Sequence, residues 1–151
     1  MEADFLMKFP DEEYDVIVDA IFGVGLKREV AGRHREVIGR LNQMEALKVA
    51  VDVPSGVDAS TGQILGIAFE ADITVTFGLP KVGLLLYPGA DVSGEVIVKE
   101  IGFPNKAVEE IAPQMVSFTT DDLEYLPERK AWTNKGSYGK VLLIAGSKNM
   151  A

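Results

Sequence analysis

Four short runs dominated by Val and Ile constrain the fold more than anything else in this sequence: "DVIVDA" (15–20), "LKVAVDV" (47–53), "DITVTF" (72–77) and "EVIVKEI" (95–101). Each is bounded by Gly, Pro or Asp turn signals, and near-continuous β-branched runs suit strands covered on both faces. Beyond Gly25, Val30, His34, Val37, Ile38, Leu41 and Met44 recur at helical spacing, the pattern of a crossover helix. Strands alternating with helices predict an α/β fold, a Rossmann-like, doubly wound, mostly parallel sheet with right-handed connections.

With 151 residues and 47% hydrophobic content, the chain has the size of one ordinary domain and material for a core. No apolar run reaches the roughly 20 residues needed to span a bilayer, and the opening "MEADFLMKFPDEEYD" has neither the basic region nor the apolar core of a signal peptide. A cytoplasmic protein with no membrane partner is expected. The absence of cysteine excludes disulfides, thiolate metal sites and a cysteine nucleophile, and the single His34 excludes any site built on two imidazoles. His34 lies among charged residues of the expected helix, where a solvated role outweighs a place in a hydrolase triad. The net charge of -8, with no basic block, makes nucleic acid a poor partner.

Both ends read as unfinished. At the front, parallel strands would leave an exposed edge unless further βα units preceded them. At the back, "KGSYGKVLLIAGSKNMA" holds a strongly apolar strand over residues 140–145 with no helix to cover it. The charged, aperiodic "LPERKAWTNKGSYG" between them reads as a linker. The expectation is a piece of something larger, with a domain boundary near residues 112–118 and a full-length protein that is a homo-oligomer.

In an open parallel sheet, ligands bind outside the carboxyl ends of the strands. Two strands end there in Asp, Asp19 in "VIVD" and Asp52 in "VAVD". If those strands are neighbours, the two carboxylates meet at one crevice and must be hydrogen-bonded, paired or bridged by a cation. After Asp19, "AIFGVGLKRE" offers Gly23 and Gly25 for backbone shapes closed to other residues, and the next helix would aim its free N–H groups at a phosphate. Lys27 and Arg28 add positive charge. A plain tight turn explains the same glycines equally well, since the third glycine of the dinucleotide fingerprint is missing.

After Asp52, "VPSGVDASTGQ" places Ser55 where its hydroxyl can ligate a hard cation or orient an acid. Asp58 reads as an Asx turn, whereas Pro54 is expected to hold Asp52 extended. Burial in the crevice would raise the pKa of Asp52 towards neutrality and fit it for proton exchange. Further on, Lys81 could reach an anion, with Leu84, Leu85 and Leu86 packed in the core.

"VDAIFGVGLKRE", "VDVPSGVDASTGQ" and "ADITVTFGLPKVGLLLYPGADVSGEVIVKEIGFP", in this order, resemble the second half of the NAD(P)H-hydrate epimerase domain, over roughly residues 12–105. "KGSYGKVLLIAGS" resembles the opening strand of the ADP- or ATP-dependent NAD(P)H-hydrate dehydratase domain, a ribokinase-like α/β fold that follows the epimerase in bifunctional repair enzymes. The resemblance implies residues 1–114 as the C-terminal half of the epimerase domain and 115–151 as linker and dehydratase start. It implies a substrate, hydrated NADH or NADPH (NADHX, NADPHX), whose R and S forms the epimerase interconverts before the dehydratase restores the cofactor. Carried over residue by residue, Gly23, Val24, Gly25, Leu26, Lys27, Arg28 and Glu29 match the loop that contacts the dinucleotide. Asp52 matches the substrate-contacting acid and carries the proton-shuttling role, and Asp19 and Ser55 match potassium ligands.

The family's Asn- and Gly-rich phosphate loop has no counterpart in this sequence, nor do the dehydratase's nucleotide loop and catalytic Asp, so ADP or ATP would serve only the dehydratase portion of a longer protein. Little epimerase activity and no dehydratase activity are expected of this polypeptide alone. Two other classes compete: a non-catalytic dinucleotide-binding module, indifferent to loss of Asp52, and a Rossmann-like oxidoreductase fragment, which the incomplete glycine pattern disfavours.

Overall fold

The computed structural model describes residues 13–104 without a break and a series of shorter stretches between 106 and 142. The chain divides into two compact units, Met1–Pro113 and Gln114–Ala151. In the first unit, β1 (Val16–Asp19), β2 (Leu47–Val51), β3 (Ile73–Phe77) and β4 (Glu95–Lys99) form one sheet in the order β1-β2-β3-β4. Every pairing is parallel, with Asp19 beside Ala50, Val51 beside Val75 and Phe77 beside Lys99. The four strands fall within the four Val- and Ile-rich runs, and the α/β class expected from them holds.

The helix α1 (Gly32–Gln43) crosses from β1 to β2. It turns Val37 and Ile38 inward, where Ile38 packs with Ile17 of β1, Ala50 of β2, Val30 and Phe69. Val30 belongs to this core without belonging to the helix: its N–H donates to Leu65 O at 2.9 Å, which ties the approach to α1 onto the loop after β2. The β2-to-β3 crossover is irregular, with an isolated bridge between Val57 and Ile64. From β3 to β4 the chain passes through a 3₁₀ turn (Val82–Leu84) and the one-turn α2 (Gly89–Val92). A second core joins Val53, Val57, Ala59, Ala68 and Leu84. Burial of this apolar surface, worth about 25 cal/mol per Å², is what holds the irregular crossover to the sheet.

Two expectations need correction. Strands buried on both faces do not describe β1, where Ile17 and Asp19 are buried while Val16 and Val18 on the opposite side are 48% and 62% exposed. The helix and both cores lie against one face, and no described element covers the Val16–Val18 side. The Leu84-Leu85-Leu86 run is not wholly core either. In the tight turn only Leu84 points inward, and the other two are 49% and 42% exposed.

Close backbone approaches fix the loop that follows β2. Gly56 has φ 97, and a Cβ there would lie 1.8 Å from Ile67 O, so only glycine fits where the two arms of the crossover touch. The contact is closed by Leu65 N–H donating to Gly56 O at 2.7 Å and Phe69 N–H to Ser55 O at 2.8 Å. Residues 52–56, which carry the candidate chemistry, are thereby held in a single shape.

In the second unit a 3₁₀ helix spans Thr120–Tyr125. The stretch expected to be a linker contains a local knot of bonds, in which the Lys130 N–H donates to Tyr138 Oη and Thr133 Oγ1 donates to Lys130 O. Of the strand expected over 140–145, residues 140–142 carry no regular structure and the remainder lies outside the described residues.

Candidate functional site

The parallel order puts the ends of β1 and β2 side by side, so Asp19 and Asp52 do rise from neighbouring strands. They share no hydrogen-bond partner. Asp19 is 1% exposed and fully engaged: Oδ1 accepts from Ser55 Oγ at 2.7 Å and Ile21 N–H at 3.2 Å, while Oδ2 accepts from Ser55 N–H at 2.7 Å. Three donors to one buried carboxylate meet the requirement that such a charge be hydrogen-bonded. Ser55 Oγ also accepts from Phe22 N–H at 2.9 Å and lies 3.4 Å from Phe22 O. Asp19 and Ser55 therefore lock the loop after β1 onto the loop after β2.

Asp52 faces the other neighbour, β3. Its Oδ1 accepts from Lys81 Nζ at 2.5 Å, Thr76 Oγ1 at 3.0 Å and Phe77 N–H at 3.3 Å. Its backbone is not extended but left-handed, at φ 69, the sole non-glycine residue with positive φ among those described. Proline restricts the residue directly before it, here Val53, and leaves Asp52 free of that constraint. The left-handed turn is secured by Asp52 N–H donating to Val75 O at 2.8 Å. Strain of this kind persists only where the surroundings over-determine it.

The electrostatics also differ from expectation. Burial raises the pKa of Asp52, but the hydrogen bonds from Lys81 and Thr76, the Lys81 charge and the Phe77 N–H together outweigh it and hold the carboxyl below its ordinary 3.8. Asp52 is thus an anion at neutral pH, mostly shielded from solvent and already ion-paired. Because its folded pKa is depressed, the stability it contributes is complete above the ordinary value and is lost as pH falls through the folded one. Melting temperature should therefore fall more steeply in wild type than in Asp52→Asn between about pH 5 and pH 2. Parallel melting curves in the two proteins would show that this carboxylate is not linked to folding.

The Gly23–Glu29 loop lies beside Asp19. Ile21, Phe22, Gly23, Gly25, Leu26, Lys27 and Arg28 line an open cleft of about 450 Å³. Val24 and Glu29 are exposed and do not line it. Neither glycine has positive φ, and a Cβ on either would meet nothing within 4 Å, so their role here is openness and not an otherwise forbidden turn. Nor does a helix start directly after them: α1 begins at Gly32, because the chain must first reach the Val30–Leu65 contact. Lys27 is paired with Asp58 at 3.3 Å. Asp58 makes the expected Asx turn, accepting from Ser60 N–H at 2.8 Å and Thr61 N–H at 3.0 Å. His34 is exposed, with its ring 5.0 Å from that of Phe22.

Thr76 is the site residue that sequence reasoning missed. A threonine in a β-branched strand carries no signal of its own, and only the alignment of β3 with the end of β2 brings its hydroxyl to Asp52. Lys81 was legible as an anion partner, but the anion is a residue of the same chain. Among the described residues no group of three or more His, Asp or Glu could hold a metal ion. Ser55 Oγ lies 2.7 Å from Asp19 Oδ1 and 3.4 Å from Phe22 O, so it is the point where oxygens of the two loops meet.

Comparison with known proteins gives this geometry a context. The chain is 47% identical over 135 residues to the bifunctional NAD(P)H-hydrate repair enzyme Nnr of Thermofilum pendens, covering 89% of this chain and 25% of that protein. It is 41% identical over 138 residues to the enzyme of the same name from Moorella thermoacetica, covering 90% and 26%. It is 47% identical over 95 residues to the NAD(P)H-hydrate epimerase of Weissella koreensis, covering 63% and 43%. The chain thus spans about a quarter of the bifunctional relatives and under half of the epimerase. The model of the YjeF-related protein N-terminus matches residues 2–83, more than half of the sequence, and the chain belongs to that family.

Proposed function

We propose that the crevice at the ends of β1 and β2 binds hydrated NADH or NADPH and interconverts the R and S forms at C6 of the nicotinamide ring. The observation that carries this reading is Asp52, a partly exposed carboxylate forced into a left-handed turn at a strand end and clamped there by three donors. The names of the relatives supply the substrate.

Inversion at C6 requires the hydroxyl to leave and water to return on the opposite face. One proton departs with the hydroxyl as water and one is recovered from the incoming water, so the cycle balances without another reagent. The ring nitrogen lone pair stabilises the cation in between. Asp52, an anion at rest, takes up a proton from solvent, passes it to the departing hydroxyl and recovers one from the incoming water, and as an anion in between it stabilises the ring cation it faces. The Gly23–Glu29 loop holds the dinucleotide through the residues that line its cleft, Gly23, Gly25, Leu26, Lys27 and Arg28, with Arg28 the cation best placed to meet phosphate because Lys27 is engaged by Asp58. Potassium would be held by Asp19 and Ser55 with the Phe22 carbonyl, where its charge would help fix the two loops.

Residues 1–114 are read as the C-terminal half of an epimerase domain and 115–151 as a linker and the start of a dehydratase that uses ADP or ATP. In support, the similarity runs over 135 and 138 residues with bifunctional enzymes but over 95 with the epimerase. A homo-oligomeric cytoplasmic enzyme completes the proposal. No described helix is long and apolar enough to cross a membrane.

Pure R-form hydrate incubated with the full-length protein should yield the S form, followed by reversed-phase chromatography, with no change in the redox state of the nicotinamide. Lack of interconversion above the uncatalysed rate would remove the reading, and hydride transfer would replace it with an oxidoreductase.

A further inference from the structure

Lys81 lies just ahead of the 3₁₀ turn that follows β3, with an extended backbone at φ -81 and ψ 141. An ammonium has three N–H groups, and here three acceptors take them: Asp52 Oδ1, Thr76 Oγ1 at 3.0 Å and Phe77 O at 2.9 Å. The side chain is 21% exposed. With its donors spent inside the protein, Lys81 is poorly placed to hold a phosphate.

All three donors that reach Asp52 end on the same oxygen. Lys81 Nζ, Thr76 Oγ1 and Phe77 N–H converge on Oδ1, and no described residue donates to Oδ2. Thr76 is fully buried, and its hydroxyl both gives a bond to Asp52 and receives one from Lys81, so the three groups form a closed cycle. Such a cycle fixes the rotation of the carboxylate, because turning it would break three bonds at once.

Resting on the function proposed above, we infer that Lys81 is the positioning residue for Asp52: with Thr76 and the Phe77 N–H it anchors Oδ1 and leaves Oδ2 as the oxygen that meets the C6 hydroxyl. Proton transfer needs heavy atoms within about 3.2 Å in a fixed direction, and a carboxylate free to rotate would lose that alignment more than it would lose affinity.

The test is a double-mutant cycle in the full-length protein with the R-form hydrate as substrate. Lys81→Met should lower kcat roughly 100-fold with KM within about threefold, and on an Asp52→Asn background it should lower kcat further by less than about threefold. If Lys81→Met does not fold, Thr76→Val, which removes the other side-chain donor to Oδ1, is read in the same cycle. An unchanged kcat, a rise in KM alone, or losses that multiply fully in the double mutant would overturn the positioning role. Those results with an active wild type and an inert Asp52→Asn would leave the proposed function standing. A wild type that does not interconvert the two forms would sink both.

Discussion

Asp52→Asn in the full-length protein lowers R-to-S interconversion by roughly 1,000-fold or more while dinucleotide affinity stays within about threefold. The substitution keeps the shape of the side chain and its left-handed turn, which Asn tolerates as well as Asp does. It removes the two things the reaction needs, a group that can take and return a proton and a negative charge facing the cationic ring. It also leaves Lys81 opposite a neutral amide in place of the anion it now pairs with. Turnover within tenfold of wild type would remove Asp52 from the chemistry. A matching rise in KM would make it a binding residue.

The second large effect is on folding. Asp19→Ala should destabilise the protein by about 3–5 kcal/mol, because it strips the partner from three donors, two of them in buried hydrogen bonds. Those donors are Ser55 Oγ, Ser55 N–H and Ile21 N–H. Ser55 sits on the loop that Gly56 presses against Ile67, so losing its anchor loosens the turn that presents Asp52. Denaturant unfolding at neutral pH measures the loss directly. A cost below about 1 kcal/mol would mean that the Asp19–Ser55 contact is not what joins the two loops.

The sheet was legible because β-branched runs of four or five residues between turn signals have few alternatives to a strand. The helix was legible in its inward residues Val37 and Ile38 but not in its start, because Val30 keeps the apolar period while bonding across to Leu65. The β2-to-β3 crossover has no period to read, and its shape comes from backbone contacts such as Gly56 with Ile67. At the site, Asp19, Asp52 and Ser55 could be singled out because strand ends in a parallel sheet face ligands. The state of Asp52 could not. Its pKa depends on Lys81, 29 residues away, and on a threonine of the adjacent strand, and no local pattern encodes either contact.

The claim that Asp52 works on C6 of a hydrated nicotinamide is tested most directly by incubating pure R-form hydrate with the full-length protein in ¹⁸O-labelled water and following both stereochemistry and mass. The S form should appear faster than without protein and carry the heavy oxygen at C6, since the original hydroxyl leaves and solvent returns. R-form hydrate that neither inverts nor exchanges its oxygen faster than in buffer alone would contradict it.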